Sequence, residues 1–145
     1  MTYWLDVYTP MAWEDSQKIE VSVTGFPEAR AKSVRRINPG DILICYMKDK
    51  SLWFGALRTT DKTYDDYKNV IWKEKLCPHR IKVEPVIILE LEKAIPAKSL
   101  LSKLKLFATL KNPENWGPPL RTSPRKLDEE DGKLILKELE KRRTT

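Results

Sequence analysis

Apolar and polar residues alternate with the period of a strand at the start of the chain. In TYWLDVY, residues 2–8, Tyr3, Leu5 and Val7 share one face, and the residues are of strand-forming types. TPMAWEDSQK follows with Thr9 as an N-cap and Pro10 at the first helical position, which predicts a short helix carrying Trp13. IEVSV, residues 19–23, predicts a short strand closed by the turn residues of TGFPE. ARAKSVRRI then predicts a helical turn presenting Arg30, Lys32, Arg35 and Arg36.

The pattern changes at NPGD, residues 38–41, where Pro and Gly occupy the two central positions a type II turn favours. The nearly unbroken apolar run DILICYM then predicts a strand buried on both faces. KDKS reads as a hairpin turn and LWFGALRTT as the returning strand, with Gly55 marking a bulge or a close backbone approach. After a polar loop holding Tyr64 and Tyr67 comes VIWKEKLCPHR, and then the strongest strand signal, RIKVEPVIILELE. Proline donates no ladder hydrogen bond, so Pro85 must fall at an edge or a bulge. IPAKSLLSKLKLF reads as an amphipathic helix with Leu100, Leu101, Leu104 and Phe107 inward. LDEEDGKLILKELEKRR reads as a final helix, capped by Asp128, acidic in its first turn and basic in its last.

These elements sum to a mixed α/β (α+β) fold: a small barrel or strongly curved sheet of about five strands, mostly hairpin-connected, with peripheral helices. Alternating βαβ units are not evident, which argues against a dinucleotide-binding layout. At 145 residues the expectation is one domain over residues 1–145, large enough to bury a real core. A chain 41% hydrophobic and 33% charged reads as globular rather than disordered. No apolar run approaches the ~18 residues of a spanning helix, so no membrane partner is expected. The opening MTYWLDVYT has an early acid and no basic leader, and a cytoplasmic location is the expectation.

Charge sharpens the picture. The net charge is +6. Residues 98–126 hold Lys98, Lys103, Lys105, Lys111, Arg121, Arg125 and Lys126 against the single acid Glu114, so all of the excess lies there. Such concentration favours an anionic partner, nucleic acid above others, over a merely solvated basic face. Catalytic patterns are scarce: no GxSxG, no P-loop, no HExxH, and five glycines in all. Cys45 and Cys77 lack metal-ligand spacing, and with His79 alone they make no zinc set. Cys77 and His79 in CPHR read as a buried thiol and a hydrogen-bonded imidazole rather than a catalytic pair. No enzyme, metal or cofactor is predicted.

The aromatics suggest binding. Trp4 and Trp53 fit the core, but Phe26, Trp72 and Trp116 lie in predicted connections, and Trp116 stands in the proline-rich NPENWGPPLRTSP. Aromatic faces beside cations suit an unstacked base, since stacking contributes about 1–3 kcal/mol per base while Lys and Arg hold phosphates.

In their order and spacing, YWLDVYTP, the GF before a basic helical turn, INPGDILICYM, WFGAL, RIKVEPV and RTSPRKLDEEDGKLIL resemble the EVE domain family. That family belongs to the PUA-like superfamily and is similar in fold to YTH domains. The resemblance covers nearly the whole chain. It implies a curved sheet or barrel of five to six strands with peripheral helices. It also implies binding of DNA or RNA with a modified base, often methylated, flipped into an aromatic cage. On this chain the cage falls on Tyr8 and Thr9, on Gly25 and Phe26, and on Ile71 and Trp72, with Trp116 as a third wall or a brace. Relatives commonly place a tryptophan where this chain has Thr24-Gly25-Phe26. Tyr8, Thr9 and Ser123 would meet the base edge, and Arg121, Arg125, Lys126 and Lys111 the backbone phosphates.

The reading that results is a non-catalytic reader of modified bases, either free-standing or serving a methylation-dependent restriction system through a nuclease or motor domain. Two alternatives stand beside it: a PUA-like RNA-binding module blind to modification, and an enzyme acting on a nucleotide-like substrate.

Overall fold

The computed structural model of the protein describes residues 1–108, 110, 112 and 114–143. Its elements in chain order are β1 (Tyr3–Tyr8), α1 (Pro10–Lys18), β2 (Val23–Phe26), α2 (Ala31–Val34), β3 (Ile42–Met47), β4 (Leu52–Thr59), β5 (Tyr64–Asp65), β6 (His79–Ile88), β7 (Ile95–Pro96), β8 (Arg125–Leu127) and α3 (Glu129–Arg143). The strands form one curled half-barrel sheet in the order β2-β6-β4-β3-β1-β8, with β5 added to β6 and β7 to β4. The mixed α+β class with a curved sheet is therefore as the sequence predicts. Strand number is higher because β5, β7 and β8 are two- or three-residue pairings, too short for any periodicity to show. Hairpin connections are fewer than the sequence predicts: β2 pairs β6 and β1 pairs β8 from distant parts of the chain, while β1 and β3 run parallel, Tyr3 opposite Ile42 through Tyr8 opposite Met47, with the chain crossing between them through α1, β2 and α2.

The strand pattern sorts the core into two clusters, one on each side of the sheet. Tyr3 and Leu5 join Ile42, Ile44, Tyr46 and Trp53 beneath Ile135 and Leu139 of α3. Trp4 and Tyr8 join Leu43, Cys45, Met47 and Phe54 beneath Trp13 of α1 and Val34 of α2. All six positions of β3 are buried, as a run without polar alternation requires. Gly40 has φ +90°, and the Asp41 amide donates to the Asn38 carbonyl over 3.1 Å, closing the type II turn. The Asp41 carboxylate then accepts from the Thr2 amide and, over 3.0 Å, from the Trp4 indole, tying β1 to the start of β3. Gly55 marks a close approach: a Cβ there would lie 2.9 Å from the Ile87 carbonyl oxygen. Pro85 sits at a bulge, where the β4–β6 register slips between Ala56 and Leu57.

Two predicted elements come out differently. The strand expected at 19–23 begins four residues later, because Ile19–Ser22 turn tightly with Glu20 and Val21 at positive φ. Thr24-Gly25-Phe26, read as a turn, is thus strand β2, paired with Ile81, Arg80 and His79 of β6. The helix expected over residues 95–107 is two short 3-10 segments, Ala97–Leu100 and Lys105–Phe107. Leu100, Leu104 and Phe107 are nevertheless buried. The helix is interrupted because the buried Asp131 carboxylate of α3 takes the Lys105 and Leu106 amides, both over 2.8 Å. No helix among the described residues is long and apolar enough to cross a membrane.

Candidate functional site

At the ends of β1 and β2 the curled sheet leaves a cavity of about 160 Å³. β1 supplies Asp6, Val7 and Tyr8, β2 supplies Thr24, Gly25 and Phe26, and the loop before β6 supplies Trp72, Glu74, Lys75 and Cys77. Pro27 after β2, Thr9 and Ala12 at the start of α1, and Ser123 before β8 complete the lining. The structure thus brings together six of the residues the sequence nominates: Tyr8, Thr9, Gly25, Phe26, Trp72 and Ser123.

Each is held by a local cause. Thr9 caps α1 by accepting from the Ala12 amide over 3.1 Å, and its hydroxyl donates to Glu74 across the mouth. Ser123 accepts from the Val7 amide over 2.9 Å, which fixes the segment before β8 against the end of β1. Trp72 lies directly on Gly25: a Cβ at that position would be 2.3 Å from its Cζ3 atom, so only glycine admits the ring. The Trp72 indole donates to Ser16 over 2.9 Å, and the next amide, Lys73, donates to Asp15 over 3.0 Å. Two consecutive residues of α1 therefore latch the loop.

From the other side the loop is gripped by Arg80 of β6, a buried guanidinium. Its Nε donates to the Cys77 carbonyl over 3.0 Å, Nη2 donates to the Asn69 carbonyl, and Nη1 lies 3.2 Å from the Asp66 carboxylate. Its Cζ stands 5.4 Å from the centre of the Trp72 ring, within cation–π range. Asp66 is itself organised by Asn69, whose side-chain and backbone N–H groups bring its carboxyl down to about 2.

The cavity has a polar floor. Tyr8 donates to Thr24 over 3.1 Å, and Thr24 donates to Asp6 over 2.8 Å. Burial pushes the Asp6 carboxyl up to about 7, against an ordinary 3.8, with the Thr24 and Tyr8 hydrogen bonds only partly opposing it. An unfolded chain would lose that proton near 3.8. The contribution of Asp6 to folding therefore declines as pH rises between those values and is lowest above about 7. Neither Asp6 nor Thr24 was among the residues the sequence nominated.

Other nominated residues lie elsewhere. Trp116 does not line the cavity. It packs on the opposite core cluster beside Tyr46, because the turn at Pro118–Leu120 buries Leu120 in that cluster and folds the loop over it. The tryptophan in the proline-rich loop is a cover for the core. Arg125 donates to the Pro119 carbonyl over 3.0 Å and so braces this loop. Arg121 and Lys126 are exposed on the segment that carries Ser123. Lys105 is engaged by Asp128 and Glu130. Lys111 lies outside the described residues.

The two residues of CPHR have different surroundings. Burial pushes the Cys77 thiol up to about 11, so it remains protonated at neutral pH. His79 points away, with Nδ1 2.7 Å from Asp65 and Nε2 3.0 Å from Glu28. Among the described residues no group of three or more His, Cys, Asp or Glu is placed to hold a metal ion.

The EVE domain model matches residues 2–138. A UPF0310 protein of Pyrococcus horikoshii is 30% identical over 151 residues, covering 94% of this chain and 98% of that protein. Among solved structures, the YTH domain of the Zygosaccharomyces rouxii MRB1 protein, in complex with N6-methyladenosine RNA, superposes with a TM-score of 0.65. It is 15% identical and covers 93% of this chain and 85% of that one. A hypothetical protein from Leishmania major gives a TM-score of 0.68 at 16% identity, covering 99% and 97%. At such identities the structural likeness establishes the fold.

Proposed function

Since the chain belongs to the EVE domain family, we propose that it is a nucleic-acid-binding module that draws one methyl-bearing base out of its strand into the cavity between β1, β2 and the Trp72 loop. The observation that carries this reading is the lining itself. Tyr8, Phe26 and Trp72 provide aromatic surface around a polar floor, in a space of about 160 Å³. An apolar cavity of ~150 Å³ holds a benzene ring, so the space suits one planar heterocycle rather than a larger ligand. A methyl group buried against such walls contributes about 0.8 kcal/mol, enough to favour a marked base over a plain one several-fold.

Extrusion of a base from its stack costs a few kcal/mol, so phosphate contacts must accompany it. Lys75 lines the cavity, and the exposed Arg121 and Lys126 lie two and three residues from Ser123 in sequence, so cations are available on both segments that carry lining residues. The YTH neighbour bound to N6-methyladenosine RNA supports the same use of the fold. A reader of this kind acts by delivering a partner to the marked site. A nuclease or motor domain of a methylation-dependent restriction system is the partner class this reading names.

The test is a fluorescence-anisotropy titration at fixed moderate salt. It uses short single- and double-stranded DNA and RNA, each plain or carrying one methylated adenine or cytosine. A several-fold preference for one modified strand, abolished in Trp72→Ala, is the expected result. Equal binding of every strand, falling steeply with salt, would leave only a basic surface and the modification-blind RNA-binding alternative.

A further inference from the structure

The floor of the cavity contains an acid that neither the base-reading proposal nor the family resemblance uses. Asp6 lines the cavity and is buried, so a base that enters it must meet this carboxyl. The hydroxyl protons of Tyr8, Thr24 and Thr9 are already committed. Tyr8 donates to Thr24, Thr24 donates to Asp6 Oδ2, and Thr9 donates to Glu74. Toward a ligand these groups offer oxygen lone pairs, so the floor is richer in acceptors than in donors. Such a surface suits a base edge that carries an exocyclic amino group over the carbonyl-rich edges of thymine and uracil.

We propose that Asp6 determines which base edge the cavity accepts. As a neutral acid, its O–H donates to a ring nitrogen and its carbonyl oxygen accepts from the adjacent amino group of an adenine- or cytosine-type base. This inference rests on the base-reading proposal and names its substrate class. An ionised Asp6 would set a lone pair against the lone pair of the ring nitrogen, so the pairing requires the proton. The position of the group makes that proton available near neutrality, because burial raises the Asp6 carboxyl to about 7.

The groups facing Asp6 leave this titration distinct. Tyr8 on β1 and Cys45 on β3 are both raised well above their ordinary values, chiefly by burial, and Cys77 in the loop before β6 is pushed up to about 11. Thr24 on β2 does not titrate. The charged residues of the lining, Glu74 and Lys75, stand at the mouth rather than the floor.

The experiment compares the wild type, Asp6→Asn and Asp6→Ala at about pH 6 and about pH 8 in the same salt. The probes are single-stranded oligonucleotides carrying one N6-methyladenine or one 5-methylcytosine, which separate the adenine and cytosine forms of the same edge, with a strand carrying thymine in that position as a third probe. With a carboxyl near 7, the competent fraction falls about tenfold across this range, and wild-type affinity for the preferred strand falls with it. Asp6→Asn keeps a carbonyl oxygen for Thr24 and the amino group, and an N–H₂ donor for the ring nitrogen, at any pH. Its affinity is expected to stay within about threefold of the wild-type value at pH 6 and to be flat. Asp6→Ala is expected to bind at least about tenfold more weakly at both pH values. Thermal melting of each variant checks folding; if Asp6→Ala fails to fold, the wild-type and Asp6→Asn profiles decide alone. A modification preference with a flat wild-type profile, an Asp6→Asn variant as weak as Asp6→Ala, or preference for the thymine strand overturns the inference while leaving the base-reading proposal standing. Absence of any preference for a modified strand at pH 6 overturns both.

Discussion

Gly132→Ala is expected to lower the melting temperature by up to roughly 8 °C, the opposite of what helix propensity alone predicts. Gly132 lies within α3, where alanine is normally favoured by about 1 kcal/mol. Here a Cβ would fall 2.2 Å from Cγ of Tyr3 and 2.6 Å from its Cβ. That contact involves the root of the side chain, which no rotamer change relieves. Tyr3 is itself buried and anchored between β3 and β8, opposite Ile42 and Leu127. Overpacking of this kind costs about 1–3 kcal/mol and occasionally more. The steric cost therefore exceeds the propensity gain, and each kcal/mol corresponds to about 2–4 °C for a chain of this size. Pairing the change with Tyr3→Ala should recover part of the loss specific to the contact, a non-additivity that a double-mutant cycle by differential scanning calorimetry would measure. Equal or higher stability of Gly132→Ala would show that α3 does not close on the sheet through this glycine.

Arg80→Met is expected to abolish selective binding and to destabilise the fold by about 3–5 kcal/mol. The substitution keeps much of the apolar stem but takes the guanidinium away from the Asn69 and Cys77 carbonyls and from the Asp66 carboxylate, which retains only its Lys68 and Asn69 donors. It also removes the cation from the Trp72 ring. The loop then hangs on Ser16 and Asp15 of α1 and on the exposed Thr9–Glu74 and Tyr67–Glu28 hydrogen bonds, and the cavity loses a fixed wall. Arg80→Lys preserves charge but cannot reach three partners with a planar fork, so it should rescue little of the binding. Hydrogen exchange would localise the effect: the amides of residues 66–77 should lose protection well before those of β3 and β4. Unaltered exchange in that loop together with unaltered binding would remove Arg80 from the account.

These two residues also show where the sequence is readable and where it is not. A run with no polar alternation, DILICYM, can only be satisfied by burial on both faces, and every residue of β3 is buried. NPGD specifies its own turn because the positive φ at Gly40 is a local demand. Leu100, Leu104 and Phe107 were readable as buried positions but not as parts of two short turns. The group that interrupts the helix, Asp131, lies 25 residues further along the chain and captures two amides that a helix would have used.

The site divides in the same way. Tyr8, Phe26, Trp72 and Ser123 are marked by the resemblance to the family and meet around the cavity. Gly25 is marked too, but its part is to admit the Trp72 ring. Trp116 misled because a tryptophan among prolines looks free for a ligand, whereas folding of Leu120 into the core draws it over Tyr46. Asp6 carries a signal that alternation contains: it is the acid on the face of β1 shared by Trp4 and Tyr8, where an apolar residue is the rule. Arg80 and Ser16 carry none. A cation and a serine in local sequence look solvated until the fold shows which loop they hold.

A nuclear magnetic resonance titration of ¹⁵N-labelled protein separates entry of a base into the cavity from contact with the outer surface. The added strand is the best-bound modified oligonucleotide, with its plain counterpart as control. If one base enters the cavity, the modified strand shifts the amides of Val7, Thr9, Gly25, Phe26 and Ser123 and the Trp72 indole, and the plain strand shifts them far less. If both strands perturb only the surface around Arg121, Arg125 and Lys126 and leave the Trp72 indole and Gly25 unmoved, the cavity is not the binding site and the account is wrong.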